Sequence, residues 1–266
     1  LFRSEDIFAV YARPLGIGGI AMAGIIGILR SSGIIGRAVK LAGTELTGKR
    51  TSAIDEPRTQ HDLSMKFITL GVIVTLVVTM LFFQFNVLFN WGHTLVSLLI
   101  VFIITFLFTT VAANAIAIVG SNPVSGMTLM TLLLTSVVLV GVGVSGKPGM
   151  TAAMIIGGVV CTALSTAGGF ITDLKIGYWL GTTPKNQEKW KFLGVLVASV
   201  TVAGVMMILN KTYGFTGNQA LVAPQANAMA AVIKPLMEGG NTPWILYGVG
   251  AILALILTSI GVPALP

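Results

Sequence analysis

Apolar residues in this chain run on without interruption instead of alternating with polar ones. Seven runs are long enough to cross a bilayer, which takes about 20 apolar residues in a helix. They cover 14–29, 67–89, 95–119, 127–145, 150–170, 192–209 and 244–262. Two of them, 67–89 and 95–119, contain no ionisable residue; the weakest, 14–29, is glycine-rich and bracketed by Arg13 and Arg30. Strands are excluded, because the runs do not alternate and exceed the length of a barrel strand. An eighth element is shorter. The stretch from Ala223 to Met237 reads as a helix with Pro224 in its first turn, stopped by Pro235 and Gly239-Gly240. Its apolar part is too short to cross, so it predicts a re-entrant or interfacial segment. The expected architecture is an all-α polytopic membrane protein, with 1–266 as a single membrane domain and 30–66 as a loop. No repeat of solenoid type is visible.

Composition removes the aqueous alternative. Hydrophobic residues make up 55% and charged residues 9% of the chain, with a mean hydropathy of +0.92. Soluble domains carry about 25% charge, so a water-soluble fold could not cover its own surface. The 32 glycines suit helices that approach backbone to backbone. The chain begins at Leu1 and ends in Val262-Pro263-Ala264-Leu265-Pro266 after an apolar run, which leads us to expect a piece of a longer polypeptide.

The formal charge of +7 invites a nucleic-acid reading, but the basic residues sit in short stretches between apolar runs and form no continuous face. They carry orientation instead. Arg37, Lys40, Lys49, Arg50, Arg58 and Lys66 follow the first run; Lys175, Lys185, Lys189 and Lys191 lie between the fifth and sixth. With alternating spans these ten share one side, against Arg3, Arg13, Lys147, Lys211 and Lys234 on the other, and the positive-inside rule makes the first side cytoplasmic.

Most of the obvious chemistry dissolves on inspection. Residues Gly141 to Lys147 have the spacing of a phosphate-binding loop, but Pro148 stands where a serine or threonine should hold magnesium, and a membrane span precedes it instead of a strand. His61 and His93 lack partners at metal-ligand spacing, and His93 sits in a tight interfacial turn after Trp91. Cys161, the single cysteine, reads as a small hydrophobe. No cofactor is expected. Neither His-Glu-x-x-His nor Gly-x-Ser-x-Gly occurs, so an intramembrane enzyme has no constellation to work with. A scaffold without transport would not need spans interrupted by polar residues.

Three interruptions stand out. Asn122-Pro123-Val124-Ser125-Gly126 breaks the helix between the third and fourth runs. It reads equally as a tight turn or as a broken helix whose freed backbone meets substrate or ions. Asp173-Leu174-Lys175-Ile176-Gly177-Tyr178-Trp179-Leu180-Gly181 follows a nearly uncharged run directly. Gly177 and Gly181 form a small-xxx-small surface for another helix. Asp173 and Lys175, two apart, do not face each other on a helix, yet both charges at a membrane edge suggest a functional pair rather than a solvated loop. Within Ala223–Met237, Gln225 is the amide favoured to face a lumen over Asn227.

Together, Asp-Leu-Lys-x-Gly-Tyr-x-x-Gly-x-x-Pro-x-x-Gln (Asp173 to Gln187), Asn-Pro-x-Ser-Gly-Met-Thr (Asn122 to Thr128) and Ala-Pro-Gln-Ala-x-x-Met-Ala (Ala223 to Ala230) resemble the oligopeptide transporter family, its bacterial branch most closely. Arg13-Pro14-Leu15-Gly16-Ile17-Gly18 and the 240–244 approach to the last run fit as well; Ser64 departs where a proline is expected. The resemblance covers nearly the whole chain. It implies a multi-pass protein of the bacterial inner membrane and a proton-coupled symporter importing short oligopeptides or, alternatively, metal–chelate complexes. It also implies that the remainder of a longer chain completes the bundle, and that the lipid bilayer, protons and peptides or peptide-like chelates are the partners. Asn122, Ser125, Gly126, Asp173, Lys175, Gly177, Gly181 and Gln225 are then the expected lining of the substrate or proton pathway.

Overall fold

The computed structural model describes residues 7–30, 32–46, 58–120, 124–215, 224–238 and 243–261. Among these residues there are helices and turns and no strand. Helix α1 (Arg13–Arg30) is preceded by a π turn, Phe8–Ala12, and followed by α2 (Ser32–Leu46). Then come α3 (Met65–Phe83), which widens into a second π turn at Gln84–Leu88, α4 (Trp91–Val119) and α5 (Val124–Gly141). The chain continues with α6 (Gly146–Trp179), α7 (Pro184–Thr212), α8 (Pro224–Glu238) and α9 (Trp244–Ser259).

Five helical stretches are long and apolar enough to cross a membrane: Val10–Leu29, Met65–Leu88, Trp91–Ala117, Gly146–Trp179 and Pro184–Thr212. Met127–Gly141 and Trp244–Ser259 are apolar but shorter. The molecule is an all-α polytopic membrane protein. Several boundaries differ from the sequence reading: α7 already starts at Pro184, and α8 runs through Pro235, the expected stop, to Glu238. The stretch 30–66 is not all loop, since α2 occupies much of it; its small and β-branched residues alternate with Arg37 and Lys40, which masks the apolar stripe. The fifth run ends at 170 but its helix continues to Trp179, because nothing between them breaks the backbone pattern. At 34 residues α6 is about 50 Å long, well beyond the roughly 30 Å hydrocarbon layer.

Local signals set the turns. Asn90 opens α4 by accepting the Gly92 amide at 2.9 Å. Gly120, at φ +80°, closes it with an amide donated to Ile116.

Packing centres on α6, which lies against α4 and α5 along much of its length and also meets α7 and α8. The core between them holds Phe83, Phe108, Leu132, Ile156, Val160 and Leu164, all essentially without exposure. Glycine sets the spacing here. Gly157 of α6 faces Leu132 of α5, so closely that a methyl group would collide with the leucine. Helices α1 and α9 form the most extensive pair, crossing backbone to backbone: Gly18 abuts the Tyr247 carbonyl and Gly250 abuts the Leu15 carbonyl.

Helix α8 packs beside α5 and α6. Val232 and Ile233 are fully buried, Val232 clustering with Ile17 and Leu129, while Met237 reaches Gly149 near the start of α6. At about 22 Å it cannot span alone. By contrast α7 buries no residue and α3 only Phe83. Faces built from Phe192, Leu196 and Val200 are what a lipid-facing helix presents.

Candidate functional site

The extension of α6 beyond the membrane-length run and the first turns of α7 form a hairpin, and most of the chemistry lies on it. Its turn is a Schellman cap. Thr182 donates its amide to Gly177 O at 2.9 Å and Gly181 donates to Tyr178 O at 3.1 Å, with Gly181 left-handed at φ +71°. Gly181 is therefore required by backbone conformation, and the reading of Gly177 and Gly181 as one helix-docking surface is corrected. Gly177 alone makes the close approach. The Gln187 side chain of α7 occupies the space where a Cβ would stand, and its amide donates to Thr182 Oγ1 at 2.8 Å.

Asp173 and Lys175 each have a partner, but not each other. Lys191 of α7 donates to Asp173 Oδ2 at 2.5 Å, and its ammonium lies next to Gly169. Lys175 points to the other side of α6, where its ammonium donates to Ala117 O at 3.0 Å and lies 5.8 Å from the Trp179 ring centroid. The expected Asp173–Lys175 pair is thus replaced by two separate attachments, for the reason that residues two apart on a helix diverge by about 200°. Ala117 is in the last turn of α4, where free carbonyls and the helix dipole favour a cation. With side-chain exposures of 52% and 33%, Asp173 and Lys191 form a water-accessible pair worth at most about 1 kcal/mol. Its significance is position.

A strap from the 58–64 segment lies over the hairpin. Arg58 donates to Gly181 O at 2.7 Å, the Lys185 amide donates to His61 O at 2.9 Å, and the Leu63 amide donates to Glu188 Oε2 at 2.9 Å. These contacts bring together the two basic stretches that the lysine and arginine count assigns to one side.

Of the eight expected pathway residues, Asp173, Gly177 and Gly181 meet on the hairpin, and Lys175 ties it to the end of α4. Ser125 and Gly126 fall in the first turn of α5, a few residues past that end. Asn122 lies outside the described residues. Gln225 is the second residue of α8, and Asn227 beside it on the helix is exposed. Sequence reasoning missed Lys191, Glu188 and Arg58 as participants. The signal available was spacing: Gln187 and Lys191 are four apart, and Glu188 and Lys191 three apart, on one face of α7.

Besides a cleft of about 530 Å³ at the turn itself, lined by Arg58, Gly181, Thr183, Asn186 and Trp190, two clefts lie along the hairpin. One, of about 630 Å³, is lined by Leu63 and Ile68, by α6 from Ala163 to Phe170 and by α7 from Glu188 to Ser199. The other, of about 340 Å³, is lined by Phe170, Asp173, Ile176, Gln187 and Lys191. Among the described residues no three His, Cys, Asp or Glu side chains converge as a metal site would require.

The family model of the OPT oligopeptide transporter protein matches residues 2–265. The chain belongs to the oligopeptide transporter family. That family is one of transporters and not of enzymes. A protein of Haemophilus influenzae named "Putative oligopeptide transporter" is 31% identical over 182 residues, which cover 58% of this chain and 29% of the relative. The chain thus matches less than a third of the length of that relative. No solved structure matches.

Proposed function

We propose that this chain forms part of a proton-coupled secondary transporter that imports short oligopeptides across the bacterial inner membrane, with the α6–α7 hairpin at its cytoplasmic mouth. The observation that carries this reading is the pair between Asp173, just past the uncharged stretch 150–170 of α6, and Lys191 of α7, both lining the smaller cleft. Asp173 is the carboxylate to which we assign proton carriage, because it stands where α6 and α7 meet and lines the smaller cleft. We assign Lys175, Ser125, Gly126, Asn122 and Gln225 to the same pathway on the strength of the sequence motifs that carry them.

The test is uptake by the full-length transporter in proteoliposomes. Di- to tetrapeptide uptake driven by an inward proton gradient should collapse on adding a protonophore. Asp173→Asn should abolish gradient-driven accumulation while equilibrium exchange persists and expression stays normal. Gradient-driven accumulation equal to wild type in Asp173→Asn would sink the role given to the pair. Uptake of metal–chelate complexes in place of peptides would correct the substrate and leave the coupling intact.

A further inference from the structure

The larger cleft has a profile of its own. Its walls are Ala163 and Ala167 of α6 and Phe192 and Leu196 of α7, and the short alanine side chains leave open space beside the larger α7 residues. Charge occurs at one end only. Glu188 and Lys191 lie three apart on one face of α7, and the cleft runs from them about 12 Å along the helix to Ser199. Both charged groups have bonding capacity to spare. Lys191 has three N–H donors and gives one to Asp173, while Glu188 accepts the Leu63 amide on one of its two oxygens. The flanking helix α7 buries none of its residues, so the cleft opens toward the apolar faces that α3 and α7 turn outward.

A ligand that fits is apolar along its length and zwitterionic at one end, with an anion for Lys191 and a hydrogen-bonding cation for Glu188. We infer that the α6–α7 cleft is a lipid site that selects phosphatidylethanolamine, its phosphate on Lys191, its primary ammonium on Glu188, and one acyl chain between Ala167 and Leu196. The quaternary ammonium of phosphatidylcholine offers no N–H to Glu188, and phosphatidylglycerol offers no cation. A volume of about 630 Å³ lies within the range of sites that bury most of a small ligand. Because Lys191 is shared with Asp173, the lipid phosphate sits beside the ion pair. Lipid retention is measured on the purified protein and is independent of what is transported.

Native mass spectrometry of the full-length transporter is the experiment, with the protein exchanged into matched-chain phosphatidylethanolamine, phosphatidylcholine or phosphatidylglycerol. Wild type should retain phosphatidylethanolamine over phosphatidylcholine by about tenfold, the weight of one charged hydrogen bond. Glu188→Gln should erase that preference. Ala167→Trp, which fills the apolar end without touching either charge, should lose the retained lipid while elution and melting stay near wild type. Equal retention of the three lipids by wild type overturns the site, as does undiminished phosphatidylethanolamine in Ala167→Trp. Displacement of the lipid by an equimolar zwitterionic tripeptide also overturns it, since the cleft would then be a peptide site.

Discussion

At the residue scale, glycine decides where helices can touch, and it does so at particular positions. Gly16 and Gly18 are two apart in α1, yet nothing stands within 4 Å of a Cβ built on Gly16, while one on Gly18 would strike the Tyr247 backbone carbonyl. A carbonyl on a packed helix cannot swing aside as a side chain can. Gly18→Ala should therefore force α1 and α9 apart and cost about 1–3 kcal/mol, the usual range for overpacking. Gly16→Ala should be neutral or slightly stabilising, since alanine is favoured over glycine in a helix by about 1 kcal/mol. Thermal unfolding of the two variants in detergent separates them, and equal melting temperatures would refute the close crossing. Neither outcome could be read from the sequence, in which both residues belong to the same glycine-rich stretch.

At the element scale, α4 and α5 carry a set of buried hydroxyls that the hydropathy pattern hides. Thr94 is satisfied, donating to Gln84 Oε1 at 2.9 Å, and Thr131 donates to the Met127 carbonyl at 2.8 Å. The hydroxyls of Ser97, Thr105, Thr109, Thr135 and Ser136 are buried without a hydrogen-bond partner among the described residues. An unpaired buried hydroxyl costs about 1–3 kcal/mol, whereas an apolar group of the same shape costs nothing comparable. Thr135→Val should thus hold or raise the melting temperature by a few degrees, while Thr131→Val should not. If Thr135→Val raises stability and lowers peptide uptake together, the hydroxyl is kept for transport. A clear loss of stability would mean that Thr135 has a partner in the folded bundle. The same helices show what periodicity can yield: α4 begins at its Asn90 cap and ends at Gly120 as the local signals require.

At the scale of the whole molecule, sidedness follows from two independent observations. The lysine and arginine count places 30–66 and the α6–α7 connection together, and the contacts Arg58–Gly181 and His61–Lys185 physically join them. Single cysteines at Lys40 and Lys185 of the full-length protein should label from the same face with an impermeant maleimide. A cysteine at Lys211, at the far end of α7, should label from the opposite face. Opposite labelling of the first two would mean that a span has been missed between them. The apolar surface of α7 gives the reason that this helix must cross: its 29 residues bury nothing in the protein and need lipid or further protein around them.

The sequence by itself determined the class of the molecule, because long uncharged apolar runs leave the backbone no option in a bilayer except helix. Through three local motifs it also carried the family. Tertiary structure decided what depends on contact between distant segments. Asp173 meets Lys191 and not Lys175 because α7 folds back along α6 and brings its own face to the aspartate. Gly181 serves the cap and Gly177 the close approach, although the two look equivalent in spacing. That the short segment Ala223–Met237 is a helix too short to span could be read from its pattern, but which neighbours bury Val232 and Ile233 depends on the fold. Periodicity fixes which residues share a face of one helix; only the neighbouring helix fixes what that face meets.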